Sequence, residues 1–455
     1  MRSTMLKVRC CSLLLILLQL SVNVRAQTKL QRRNRSQQLL ASIGVRPEHY
    51  NSRKLYRNTL PQYTDIDRDY RQLLLSTRRL SLNWALRSEN ELIARNRREG
   101  KMQPIIPKSQ PFACALNNTR SSSRPTSVER LRPGDIDVIA AFGDSVSAGN
   151  GIISHNALDM VNEWRGMTFS GGGMADWRRY LTLPNILKVF NPQLYGYAIA
   201  NDLVVNHRTS RLSIAEPMIM SHDLPYQARV FIDLLQRDAH VDMQRHWKLL
   251  TIYVGNNDIC SDMCHWTNSA ALLAQHAKDL RQAFRLLRDN VPRLLINLIV
   301  VPNIVRVLSG LHQVPWQCYM VHRIACNCLM SDQLSRQQLQ QRQQLLLQWQ
   351  QIDLQVARSP EFQRKDFAIV AHPMIANMST PLLPNGDMDW RPFGHDCFHF
   401  SQRAHAVFAN LLWNSMWLPD ERKPQPQHMP DDPFEHFECP SAQRPYFLVR
   451  PSAAV

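Results

Sequence analysis

Four apolar runs punctuate the chain beyond about residue 105, and each is too continuous for a strand with one wet face. Val138 to Phe142, Trp247 to Val254, Leu294 to Val301 and Phe367 to Ala371 read as strands buried between two layers. Between and after them lie segments of helical period: Leu224 to Arg237, Ala270 to Asp289, a Gln-rich stretch from Asp332 to Val356, and Ser401 to Trp417. Strand alternating with helix predicts an α/β fold with a central parallel sheet. Ligands gather beyond the carboxyl ends of strands in such a sheet, so the polar residues that follow the apolar runs are the first candidates for chemistry.

The first run passes directly into Gly143-Asp144-Ser145-Val146-Ser147-Ala148-Gly149. Gly143 and Asp144 permit a sharp turn, and the small residues after Ser145 suit a helix whose N-terminal N–H groups would lie beside the hydroxyl. That is the setting of a nucleophile, although Gly-Asp-Ser is also ordinary turn chemistry. The second run ends in Gly255-Asn256-Asn257-Asp258, which offers side-chain amides to an oxyanion. Near the C-terminus, Asp396-Cys397-Phe398-His399 sets a carboxylate three residues before an imidazole, just ahead of a helical pattern. A serine hydroxyl is a poor nucleophile until a neighbouring base takes its proton, and a carboxylate steadies the imidazolium that results. Ser145, His399 and Asp396 are the residue types this chemistry requires. The segment Gly143-Asp144-Ser145-Val146-Ser147 lacks the second glycine of a G-x-S-x-G elbow, which argues against the other common serine hydrolase fold.

In this order the motifs resemble the GDSL or SGNH hydrolases, and within them the membrane-associated phospholipase B branch. The likeness extends through Asp135 to Ser145, Trp164-Arg165-Gly166, Leu183 to Leu187, Phe190-Asn191-Pro192, Asp223 to Arg229 and Asp396 to Ser401, covering roughly residues 110 to 442. It implies a three-layer α/β/α, flavodoxin-like SGNH fold. It also implies attack on an ester by Ser145, with His399 as base and Asp396 as its orienter, and no cofactor or metal. The implied oxyanion hole is made of the Ser145 N–H, Asn257 and the backbone N–H at position 218. In the family's second block, Asn-x-Ala-x-x-Gly, this chain has Ser213-Ile214-Ala215-Glu216-Pro217-Met218, so Met218 stands where glycine is expected. A methionine there keeps the N–H but brings a side chain toward the site, and a positive φ would cost roughly 1–2 kcal/mol. The Gly171-Gly172-Gly173 run reads as a flexible loop.

The flanks bear on compartment. Arg2, Lys7 and Arg9, an apolar Cys10 to Val22, and Val24-Arg25-Ala26 fit a signal peptide over residues 1–26. No apolar stretch is long enough to span a bilayer, and the end of the chain lacks the pattern of a lipid-anchor signal, so a secreted protein is expected. Eight cysteines follow the leader, and an even number in an oxidising compartment reads as disulfides. Cys114 with Cys439, Cys260 with Cys264, and Cys318 with Cys326 or Cys328 are the expected pairs. Cys260, Cys264, His265, Cys326 and Cys328 suit a zinc site poorly, because the C-x-C spacing is wrong for a ribbon. Sequons at Asn34, Asn117 and Asn377 offer glycan sites.

Residues 27–105 form a basic extension, rich in Arg, Gln and Leu, expected to be partly helical or a pro-segment; residues 106–442 make the hydrolase domain and 443–455 a tail. The formal net charge of +17 points to anionic membrane surfaces rather than nucleic acid in an exported protein. The expected function is a secreted phospholipase B-like or lysophospholipase-like acyl-ester hydrolase. Two alternatives stand beside it: a lipid-binding protein impaired by Met218, and a partner-binding protein that works through its basic extension.

Overall fold

The computed structural model describes residues 65–308, 314, 316–330, 334–379 and 381–449. The expected signal peptide, the Asn34 sequon and the end of the tail lie outside these residues. The described residues fall into two units, one holding residues 65–80 and the other beginning at residue 81. The described part of the first is residues 65–80 of a helix, α1 (Asp65–Arg87).

The second unit carries four strands, β1 (Ile136–Gly143), β2 (Trp247–Tyr253), β3 (Leu294–Ile299) and β4 (Phe367–His372), parallel and in that spatial order. Every residue of all four is buried, which is why their sequences are apolar on both faces. The far edge of β1 takes two single parallel bridges, Val138 with Tyr195 and Ala141 with Ser213. The chain thus leaves β1 to one side and returns on the other to form β2, putting a topological switch point at the end of β1.

The helices of this unit are α2 (Glu89–Arg98), α3 (Leu183–Phe190), α4 (Leu224–Arg237), α5 (Ser269–Asn290), α6 (Trp316–Ala325), α7 (Arg336–Ala357) and α8 (Gln402–Ser415), with shorter turns between them. Local chemistry sets their starts. The Asn268 side chain accepts from Ala270 and Ala271 N–H to open α5, and a reciprocal box between Ser335 and Gln338 opens α7. Side-chain parity shows that both faces of the sheet are covered. Phe142 of β1 meets Phe231 of α4 edge-on, whereas Asn297 of β3, in register with Thr251 and Ala141 on the opposite face, lies against Met416 just after α8. His372 of β4 shares that second face and reaches both Asn297 and Ser415. Helices on both faces of a parallel sheet make the expected α/β/α architecture.

The glycine run corrects an expectation. Gly171, Gly172 and Gly173 are buried, and a Cβ on Gly173 would fall 2.1 Å from the Tyr197 ring, so the segment is glycine-rich because it is tightly packed rather than flexible.

Disulfide pairing matches the expectation at Cys114–Cys439 and departs from it elsewhere: the other pairs are Cys260–Cys326, Cys264–Cys328 and Cys318–Cys397. Cys260 and Cys264 lie one helical turn apart in consecutive turns, Asp258–Asp262 and Met263–His265. Residues so spaced share a face, so both sulfurs meet the 326–328 segment instead of each other. Cys264, His265 and Cys328 cluster closely, but two of the three sit in one disulfide and have no thiolate to offer a metal. Among the described residues, no helix is long and apolar enough to cross a membrane.

Candidate active site

Ser145 opens a single helical turn, Ser145–Ala148, directly after β1. Asp144 caps it by accepting from the Val146 N–H at 3.0 Å, and Asn256 donates to the other Asp144 oxygen at 3.0 Å. Burial pushes the Asp144 carboxyl up to about 6, against these two hydrogen bonds. The turn needs glycine before it: Gly143 has φ +131°, and a Cβ there would lie 2.0 Å from the Tyr253 carbonyl oxygen.

His399 and Asp396 arrive from the loop before α8. His399 Nε2 is 2.8 Å from Ser145 Oγ, and His399 Nδ1 is 2.5 Å from Asp396 Oδ2. The second Asp396 oxygen accepts from the backbone N–H of Phe398 (3.1 Å) and His399 (3.0 Å), which anchors the carboxylate beside the ring. Burial alone would raise the Asp396 pKa, but His399 and these N–H donors outweigh it and hold the group below the usual carboxylate range. An ionised carboxylate at Nδ1 keeps the proton on that nitrogen and leaves Nε2 to accept from the Ser145 hydroxyl.

Asn257 follows β2 and lines the same cleft as Ser145 and His399. Its amide nitrogen donates to the Ile219 carbonyl at 2.8 Å, which orients the side chain and leaves its second N–H uncommitted to that bond. Tyr253, Ile304, Val307, Met388, Phe393 and Phe398 supply apolar wall. The structure therefore brings Ser145, Asn257, Asp396 and His399 together. Met218 has the positive φ expected of a glycine position, 68°. Met218 is, however, 66% exposed, so its side chain is not packed into the site, contrary to the expectation from the sequence.

Sequence reading missed two supports. A buried relay runs from Asp353 of α7 through His276 of α5 to Ser221: His276 Nε2 is 2.8 Å from Asp353 Oδ1 and Nδ1 is 2.9 Å from Ser221 Oγ. The Ser221 N–H donates to both Asp258 oxygens at 3.0 and 3.1 Å, so the relay braces the 219–221 segment that orients Asn257. Removing one partner of a buried pair strands the other, and His276→Ala is expected to lower stability by about 3 kcal/mol or more, read as a lower denaturant midpoint at unchanged slope. The partners are 55 and 77 residues apart, and no local pattern announces them.

The second support comes from the basic extension. The Lys101 ammonium donates to the Trp390 and Phe393 carbonyls at 2.8 and 2.6 Å, Glu99 meets His395 at 2.6 Å, and the Gln103 and Gln402 side chains bond at 3.0 Å. Residues 99–103 thereby clamp the loop that carries Asp396 and His399. Burial lowers the Lys101 pKa to about 8.

A serine, a base and a carboxylate at the carboxyl end of β1, with an amide beside them, are equipped for acyl transfer. The GDSL-like Lipase/Acylhydrolase family model matches residues 139–412, and the chain belongs to that family, whose class is that of carboxylic ester hydrolases. Among curated proteins, the chain is 34% identical over 342 residues to membrane-associated phospholipase B1 of Homo sapiens, and 32% identical over 356 residues to that of Rattus norvegicus. These alignments cover 72% and 75% of this chain, which spans only 22% and 23% of those relatives.

Proposed function

We propose that the chain is a secreted serine hydrolase that releases fatty acid from glycerophospholipids through an acyl-enzyme. The observation that carries this reading is the continuous hydrogen-bonded line from Ser145 Oγ through His399 to Asp396. In the first step His399 Nε2 takes the Ser145 proton as Oγ attacks the ester carbonyl, and Asp396 steadies the imidazolium. The tetrahedral oxyanion is received by the free amide N–H of Asn257 and the backbone N–H groups of Ser145 and Met218. Collapse breaks the bond to the glycerol oxygen, which leaves with the proton from His399. Water then attacks the acyl-serine with His399 again as base, and fatty acid departs as Ser145 regains its proton.

Kinship with phospholipase B1 supports a lipid ester as substrate, and the leader-like N-terminus together with four disulfides supports secretion. The test is acid release by the purified full chain from phosphatidylcholine, lysophosphatidylcholine and a neutral acylglycerol. Fatty acid with glycerophosphocholine as the water-soluble product supports the proposal; no acid from any acyl ester overturns it.

The alternative of an impaired lipid binder rests on Met218, and the outward course of that side chain argues against it. Met218→Gly is expected to change turnover by no more than about threefold, because the donor is the backbone N–H in either case. It should also gain up to about 1 kcal/mol of stability from relief of the positive φ, offset by glycine's entropy. A rise in turnover of about a hundredfold, the size of one oxyanion donor, would mean that methionine closes the site.

A further inference from the structure

Helix α6 carries its apolar residues on the wrong side for a core helix. Trp316, Tyr319, Met320 and Ile324, spaced to share one face, are 77%, 43%, 49% and 74% exposed, while Cys318, Val321 and His322 on the opposite face are buried. That buried face is fastened to the catalytic loop. Cys318 is disulfide-bonded to Cys397, and His322 Nε2 lies 2.6 Å from the Cys397 carbonyl oxygen, between Asp396 and His399 in sequence. The outward stripe is therefore held beside the cleft rather than hung from a remote part of the surface.

Two other segments at the cleft do the same. Leu382, 54% exposed, is bridged to Met388, which lines the cleft. Met218, also exposed, precedes Ile219, whose carbonyl orients Asn257. Single exposed apolar residues are ordinary on a protein surface, but large ones contributed by three segments around one cleft mark a contact surface.

We infer that α6, with Leu382 and Met218, forms a rim that docks onto an anionic phospholipid surface. This rests on the acyl-hydrolase reading above, because that substrate resides in such a surface. Tryptophan, tyrosine, methionine and isoleucine on one helical face are suited to the headgroup and acyl boundary, where aromatic rings keep a polar edge in water. Charge agrees. Arg323 of α6 stacks over Tyr319 at 4.2 Å from its ring centre, and the chain as a whole carries a formal +17. The Met218 substitution acquires a use: it adds an apolar side chain to the rim while keeping the backbone donor.

The test compares the full-length chain with Trp316→Ser/Met320→Ser/Ile324→Ser and with the single changes Ile324→Glu and Ile324→Lys. Each is assayed for co-sedimentation with phosphatidylcholine vesicles, with and without phosphatidylserine, and for acyl release from those vesicles and from a water-soluble short-chain ester. The triple variant is expected to lose roughly tenfold or more in vesicle binding and in vesicle hydrolysis, with soluble-ester hydrolysis unchanged. Ile324→Glu should weaken binding to phosphatidylserine vesicles more than Ile324→Lys does, a contrast that stands even if the triple variant folds poorly. Unaltered vesicle binding in the triple variant, or equal binding by Glu and Lys variants at the wild-type level, overturns the rim. A wild-type chain that binds vesicles but hydrolyses neither ester overturns the catalytic reading and leaves the docking result intact.

Discussion

Ser145→Ala is expected to lower kcat/KM for an acyl ester by about ten-thousandfold or more, with His399→Ala close behind and the double variant scarcely worse than either. The reason lies in the geometry. At 2.8 Å from His399 Nε2, the Ser145 hydroxyl has an acceptor for its proton, and neither group has a route to the acyl-enzyme without the other. Groups that act as one unit lose their joint contribution when either is removed. The residual rate comes from substrate binding and the oxyanion donors, which the substitution leaves in place. Steady-state kinetics of the three variants beside a thermal melt of each separates lost chemistry from lost folding. Independent, multiplying losses would show that the two residues do not work on one step.

Asp396→Asn is expected to cost about a thousandfold to ten-thousandfold in kcat, through the tautomer of His399 rather than through its position. Asp396 accepts three hydrogen bonds, from His399 Nδ1 and from the backbone N–H of Phe398 and His399. An asparagine has one acceptor oxygen. If that oxygen keeps the backbone donors, its amide N–H faces Nδ1 and drives the ring proton to Nε2, where it blocks the Ser145 hydroxyl. KM is expected to change little, since no substrate atom touches residue 396 on this mechanism. A loss confined to KM would contradict the assignment of Asp396 as the group that orients His399.

The sheet was legible because every strand is buried on both faces, so its apolar runs stand out against the helices between them. Ser145, Asn257, Asp396 and His399 were legible as well, each lying at or after the end of an apolar run or ahead of a helix, where short motifs are local in sequence. What escaped was assembled across the chain. Ser221, His276 and Asp353 are unremarkable residues on three elements, and only folding makes them a relay. The pairing of Cys318 with Cys397 joins positions 79 apart, whereas nearby cysteines invited nearer partners. Basic composition set residues 27–105 apart, yet Glu99, Lys101 and Gln103 spend their polar groups on the loop of the proposed base. Position 218 was readable as backbone, through its positive φ, but not as a side chain, because a motif does not say which way a methionine leaves the chain.

The central claim, that Ser145 becomes acylated, is tested most directly by treating the purified chain with a fluorophosphonate and mapping the adduct by peptide mass spectrometry. One adduct on Ser145, absent from Ser145→Ala and strongly slowed in His399→Ala, is the predicted result. No adduct on the folded wild-type chain, or one that persists at the same rate in Ser145→Ala, would contradict it.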